Sequence, residues 1–402
     1  MTAPRLQISP GMRRYLDYPK FQGPVRMLVL ETEYFFDASW ARAAAHLGWQ
    51  HASVPSAMTG GLSADDVKSL FTAIAEFKPD FILTSNYAGM DALGLFARFF
   101  EDARIPYVSW FTDTPRMILF GRQMHISPWS VAATWERSYT PYFERLGFEH
   151  IHFMPLATDP EIFNGAPLDT HARAIAFVGT SMLEQTHEAV EKHAHLPGVK
   201  AAVIAAFEAG QVTRENYALG MEAIVTPSLL DSLNESERRN VELLVNYQAT
   251  FEQRLALVQA VQPLGLEVRG DLYWKKFLPE AGGAVGYFDD LAPYYRNTAI
   301  NLNTTSLQMR YAVNQRVFDC PAAGGFLLTD DQADLHAFFD VGREAVAYGS
   351  LEDLVEKVAY YQKHPDERRR IVEAAQRRIA AEHTHAHRLA ALAAFLRERF
   401  AS

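Results

Sequence analysis

Arg310, Arg316 and Asp319 stand just ahead of the pair Gly324 and Gly325 in the run NLNTTSLQMRYAVNQRVFDCPAAGGFLLTDDQADL, residues 301–335. Each of these residue types suits one part of a nucleotide. A carboxylate can accept both hydroxyls of a ribose, a guanidinium can neutralise a diphosphate, and glycine lets a backbone come close to a ligand. Arg316 lies three residues before Asp319 on a presumed helix and Arg310 nine before. A helix N-terminus near Gln308 to Ala312 would add backbone donors and a favourable dipole. Asn314 is a further polar candidate in the same run. The plain alternative is that the arginines are solvated or paired and that Asp319 is an ordinary surface residue of a helix.

Other residues invite chemistry singly. Asp113, in FTDTPR at the end of a strand-like run, can serve as a general base if its pKa is raised, or merely cap a turn with Pro115. His383 and His387 have the i, i+4 spacing that zinc can use, with His385 between them. No cysteine or third carboxylate accompanies them, so packing or capping is the expectation and no metal is implied. Phe35, Phe36 and Trp40 read as packing at least as well as stacking on a ligand. The single cysteine, Cys320, excludes an internal disulfide framework and any CxxC site, and it reads as a small buried apolar residue.

The elements that must position these residues follow from pattern. The runs 25–30, 81–84, 107–111, 131–135 and 150–155 are strand-like and alternate with amphipathic segments, which predicts a parallel sheet covered on both faces. Ser63 and Asp66 form a capping box ahead of Val67, Leu70, Phe71 and Ile74. A polar Pro/Gly/Asp stretch places a boundary near Asn164 to Arg173, after which strands return at 174–181, 266–270, 298–303, 325–329 and 344–348. Residues 184–262 read as a helical insertion, with a long helix over 236–262. The expected domains are 1–165, 166–382 and a closing helix over 383–402. In such sheets ligands bind outside the carboxyl ends of the strands. That points to residues 31–34, 85–87 and 112–116 in the first half, and to Gly179 to Met182, 271–276 and 303–306 in the second.

Composition narrows the function classes. The 402 residues, 49% of them apolar, suit two cores rather than one. A formal charge of -10 disfavours nucleic acid and anionic lipid as partners. No stretch approaches a membrane span or a secretory signal, so a cytoplasmic location is expected.

The run RVFDCPAAGGFLLTD, with EAVAYGSLEDLVEKVAYYQKHPDERRRI and AAEHTHAHR after it, resembles the C-terminal half of the glycosyltransferases related to the spore maturation protein CgeB. YVSWFTDTPR and WERSYTPYFERLGFEHIHFMPLATDPEIF resemble the N-terminal half of the same family. The resemblance implies a GT-B fold, two Rossmann-like domains whose parallel sheets face a central cleft. It also implies sugar transfer from a nucleoside-diphosphate sugar, with UDP or dTDP as the expected nucleotide. No other cofactor and no metal is implied, and the acceptor is a protein, a glycan or a small molecule. In such enzymes an acidic residue at the position of Asp319, usually Glu, holds the ribose hydroxyls. The family also places donor contacts around Trp274 and Lys275, Lys275 being a second phosphate candidate. Gly179 and Tyr287 are further donor-side candidates, Tyr287 for the base pocket. Arg316, Lys275 and Asp113 are the residues expected to carry catalysis.

Two other functions compete. A dinucleotide-dependent oxidoreductase would need a GxGxxG turn, which neither VLETEYF nor FVGTSML supplies. A nucleotide-binding or assembly protein that kept the fold and lost turnover is the non-enzymatic alternative.

Overall fold

The computed structural model describes residues 10–31, 35–56, 63–91, 93–122, 124–192 and 196–401. Residues 32–34, three of the four first-strand candidates, and the Phe35 side chain lie outside the described residues. The chain forms two compact units, Met1–Pro155 with His385–Ser402, and Leu156–Thr384.

In the first unit, strands β1 (Arg26–Glu31), β2 (Gln50–Pro55), β3 (Phe81–Ser85), β4 (Tyr107–Phe111), β5 (Ser130–Thr134) and β6 (His150–Phe153) make one sheet in the order β2-β1-β3-β4-β5-β6. Every pairing is parallel. Strands β3, β4 and β5 are buried along their whole length, which is why their sequences are nearly continuous apolar runs. β2 differs. It is an edge strand in which only Val54 is buried, and its sequence QHASVP carries no strand pattern. The helix Ala64–Phe77 opens on the expected capping box, with Asp66 N donating to Ser63 Oγ at 3.1 Å and Ser63 N to Asp66 Oδ2 at 2.8 Å.

The second unit holds β7 (Arg173–Val178), β8 (Leu266–Arg269), β9 (Thr298–Leu302), β10 (Leu327–Asp330) and β11 (Val346–Tyr348), all parallel, in the order β11-β10-β9-β7-β8. Between β7 and β8 comes the helical insertion, helices Leu183–Lys192, Pro197–Glu208, Arg214–Leu219, Pro227–Ser232 and Glu235–Val261. The last of these serves two cores. Val241, Leu244 and Val245 pack with Val199, Val203, Tyr217 and Met221 in a core of the insertion's own. Leu257, Val258 and Val261 instead pack on Ile175, Val268 and Ile300 of the sheet.

Three expectations differ from the structure. The chain passes between units at Pro155–Leu156 and at Thr384–His385, not within 164–173. Leu156 onward is tied into the second unit, where Thr158 N donates to His383 O at 3.0 Å, so polar composition misplaces the boundary. The closing helix His385–Phe400 belongs to the first unit: Leu389, Leu392 and Leu396 are buried and Arg388 Nε donates to Pro155 O at 3.0 Å. Gln308 to Ala312 open no helix, because the helix is Arg316–Ala322. Tyr311 O accepts from Asp334 N at 3.0 Å, a backbone bond to another element.

Candidate functional site

In the second unit the chain leaves β7 toward β8 on one side and returns to β9 on the other, so the topological switch point lies between the carboxyl ends of β7 and β9. On the other side of β7, the β7 and β8 ends meet closely. A Cβ on Gly270 would lie 2.1 Å from Gly179 O, so the second strand can pass only as glycine. Gly179 O also accepts from Trp274 Nε1 at 2.8 Å. Trp274 is fully buried against Phe177, so it supports the turn and offers no face to a ligand.

Arg316 reaches this point from the first position of its helix. Its Nη2 donates to Val178 O at 2.5 Å, its Nε to Tyr295 Oη at 3.3 Å, and its Nη1 to Asn303 Oδ1. Asn314 Nδ2 donates to the same Asn303 oxygen at 2.8 Å. Arg254, from the long insertion helix, donates through Nη1 to Thr180 O at 2.7 Å and to Thr180 Oγ1 at 3.0 Å. Burial and then the Arg316 charge push the Arg254 guanidinium down to about 10, with the Asp271 charge opposing. No carboxylate lies within 4.0 Å of either guanidinium among the described residues. Arg310 is also without a carboxylate partner, lies over the Tyr311 ring and keeps a buried Nε with no acceptor. Lys275 is exposed on the turn after β8. Two cations that feel each other's charge and make no ion pair among the described residues, at the ends of parallel strands, are suited to hold an anion.

The carboxylates around it are occupied. Asp271 accepts from Ser181 N at 2.5 Å, Ser181 Oγ at 2.9 Å and Tyr273 N at 3.0 Å. Asp330, ending β10, accepts from Thr305 N at 3.0 Å, Arg214 Nη2 at 2.8 Å and Gln332 Nε2 at 3.1 Å. Asp319 is wholly buried; its Oδ1 accepts from Thr158 Oγ1 at 2.7 Å and Gln315 Nε2 at 3.2 Å, and its Oδ2 from Tyr287 Oη at 3.0 Å. Burial raises the Asp319 carboxyl to about 7 against those hydrogen bonds. Tyr287 is raised well above the usual phenol by burial and by Asp319, and its ring stands edge-on to Phe163.

The glycine pair also departs from expectation. A Cβ on Gly324, at φ +91°, would lie 2.7 Å from Gly165 O, and one on Gly325 would lie 2.8 Å from Tyr295 O. At both glycines the space a Cβ would need is taken by neighbouring protein groups. Arg254 and Arg214 went unnoticed in sequence because both sit in the insertion, where helical spacing gives no reason to single out one charge.

In the first unit the switch point lies between β1 and β3. Asn86 and Tyr87, after β3, both hold left-handed backbone, with φ +48° and +58°. Asn86 Nδ2 donates to Asp113 Oδ2 at 3.0 Å, and its Oδ1 accepts from Thr112 N at 2.9 Å. Asp113 is thus placed at the carboxyl end of β4 by a side chain from the neighbouring strand end. Phe36 and Trp40 are core residues packed near Trp110.

The histidines do not converge. His383 caps the helix Pro365–Glu382 and lies among Phe318, Phe338 and Phe339, whereas His385 opens the next helix and packs on Phe36 and Trp110. His383 and His387 therefore share no helical face. Among the described residues no group of three His, Cys, Asp or Glu could hold a metal. No helix among the described residues is long and apolar enough to cross a membrane. Cys320 is buried, and burial raises its thiol pKa.

Residues 251–394 match a family model described as glycosyl transferase-like. No curated protein matches the chain. Among solved structures, sucrose-phosphate synthase from Thermosynechococcus elongatus is similar at TM-score 0.53 and 10% identity, over 94% of this chain and 99% of that one. A glycosyltransferase from Rickettsia africae ESF-5 is similar at TM-score 0.53 and 9% identity, over 94% and 99%. Anabaena HepE, solved in complex with UDP and glucose, is similar at TM-score 0.50 and 10% identity, over 92% and 99%. With its two parallel α/β units, the chain has the fold of GT-B glycosyltransferases, and its glycosyl transferase-like match includes Arg254 and Arg316.

Proposed function

We propose that this protein transfers a glycosyl group from a nucleoside-diphosphate sugar, and that the diphosphate rests on Arg316 and Arg254 at the carboxyl ends of β7 and β9. The observation that carries this reading is the pair of guanidiniums beside the end of β7 with no carboxylate in ion-pair range among the described residues. When a sugar leaves a nucleoside diphosphate, negative charge grows on the departing phosphate, and fixed cations stabilise it without reorganising. Arg310 and Lys275 would extend the positive field along the same edge. The likeness to CgeB-related enzymes and to HepE, solved with UDP, supports a nucleotide-sugar donor, with UDP or dTDP the nucleotide of choice. In this reading the arginines take the part that a divalent metal plays elsewhere, so transfer needs none.

Asp113, held by Asn86, is the proposed base for the acceptor hydroxyl. Protein, glycan and small-molecule acceptors all present such a hydroxyl.

The test is release of nucleoside diphosphate from a panel of nucleotide sugars, with wild type and Arg316→Lys. Loss of one transition-state donor costs about 10²–10³ in kcat. Turnover that is unchanged in Arg316→Lys and in Arg254→Met would overturn the assignment of the diphosphate site. Nucleotide binding without turnover on any donor would favour the binding-protein reading.

A further inference from the structure

Arg368 stands where the fold calls for an apolar side chain. The inward stripe of the helix Pro365–Glu382 is Arg368, Ile371, Val372, Ala375 and Ile379, the i, i+3, i+4 spacing of a face that meets a core. Arg368 is 7% exposed and has no carboxylate partner among the described residues. Its Nη1 donates to Tyr361 O, one of the last carbonyls of the helix Leu351–Gln362. That bond uses one of the five N–H donors of a guanidinium, and the side chain makes no other hydrogen bond among the described residues. A buried charge in this condition is costly unless a counter-charge joins it.

There is room for one. Arg368 lines a cavity of ≈ 210 Å³ at the amino edge of the second sheet, with Leu168 and His171 before β7, Phe326 before β10, and Arg369 and Val372 of its own helix. At about 30 Å³ per water this space holds roughly seven waters, enough for a phosphate group with a few carbon atoms attached. Two carboxylates border the cavity, and both are exposed. Asp169 is ion-paired with Arg369, and Asp366, in the first turn of the helix, is screened by solvent. Arg368 is left as the uncompensated charge. Burial and then the Arg368 charge hold the half-buried His171 imidazole below its ordinary pKa, with Asp169 opposing, so His171 senses the cation across the cavity wall.

We infer that this cavity is a second anion site, separate from the nucleotide site, and that it takes a phosphate group, free or on a small ester, between Arg368 and His171. A phosphate offers acceptor oxygens to a guanidinium and an imidazole at once. Leu168, Phe326 and Val372 give the carbon part of an ester an apolar wall. Arg254 and Arg316 stand at the other end of the strands, beside Thr180 O and Val178 O. The occupant of the second site therefore takes no part in transfer, and it acts by stabilising the second unit.

The experiment is titration of the full chain with inorganic phosphate and with glycerol 3-phosphate at constant ionic strength, with chloride as the control. Binding is read from the Tm and from the NMR ring signals of His171, identified by their loss in His171→Asn. Phosphate should raise the Tm and move the His171 titration to higher pH, because its charge offsets that of Arg368. Tighter binding of glycerol 3-phosphate would identify an ester as the occupant, and equal or weaker binding would identify free phosphate. The Arg254→Met, Arg316→Lys double variant should respond as wild type does. Arg368→Met should respond about tenfold more weakly or not at all, as expected when a hydrogen bond to a charged group is lost. His171 signals that move no more with phosphate than with chloride in the wild-type protein would overturn the inference, whatever the variants do. So would an undiminished response in Arg368→Met, or a response lost in the double variant, which would place the phosphate at the nucleotide site instead.

Discussion

Arg316 and Arg254, from two different helices, grip the same strand end: one donates to Val178 O at 2.5 Å and the other to Thr180 O at 2.7 Å, two residues further on. Like charges brought this close in a partly desolvated place cost stability unless an anion joins them. The Arg254→Met variant should therefore not lower the Tm of the ligand-free protein, while weakening nucleoside diphosphate binding about tenfold or more. The wild-type affinity should also fall with salt. A lowered Tm with unchanged affinity would make Arg254 a structural residue.

Asp319 gives a pH signature. Its carboxyl is raised to about 7 in the folded protein, above its value in the unfolded chain. The folded state then binds the proton more tightly, so this group's contribution to stability is full below the unfolded pKa, near 4, and is lost as pH rises through about 7. Thermal unfolding of wild type and Asp319→Asn between pH 5 and 8 should show the difference moving in the variant's favour as pH rises. A difference that is flat with pH would mean the carboxyl is ionised throughout.

Gly325→Ala tests the role of the glycine pair. The added methyl would sit 2.8 Å from Tyr295 O and 2.9 Å from both Asn301 Nδ2 and Cys320 Sγ. Overpacking of this kind costs about 1–3 kcal/mol, so a Tm several degrees lower is expected. An unchanged Tm with nucleotide binding abolished would restore the ligand-facing reading.

Asp113→Asn should lower transfer by about 10²–10⁴ if the carboxylate takes the acceptor proton, with nucleotide affinity unchanged. Full transfer activity in the variant would remove Asp113 as base.

Much of the fold was legible because its inner strands are buried on both faces and read as apolar runs; β4 coincides with YVSWF from Tyr107 to Phe111. β2 was not, since an edge strand with one buried residue has no pattern to show. The parallel α/β architecture and the long insertion helix were readable from periodicity, whereas the passage between units was not, because Thr158 and its neighbours are fixed by contacts distant in sequence. At the site, sequence marks Arg316 as a cation on a helix, and the structure brings its guanidinium to Val178 O and Asn303 Oδ1 at the ends of β7 and β9. Its pairing with Arg254 depends on a helix that returns to β7 over seventy residues later, which no local motif records. The surroundings of Asp319 and Gly324-Gly325 are not legible for one reason: residue type states what a group can bind, and packing sets which protein groups lie against it.

The central claim is that the Arg254–Arg316 edge holds a nucleoside diphosphate, and thermal unfolding against UDP, dTDP, GDP, CDP, their common sugars and NAD tests it most directly. A ligand at about 100 times its Kd adds ~2.7 kcal/mol to the native state, a shift of a few degrees for a protein of this size. The account predicts such a shift with at least one nucleoside diphosphate and its loss in the Arg254→Met, Arg316→Lys double variant. A shift with NAD alone, or an undiminished diphosphate shift in the double variant, would contradict it.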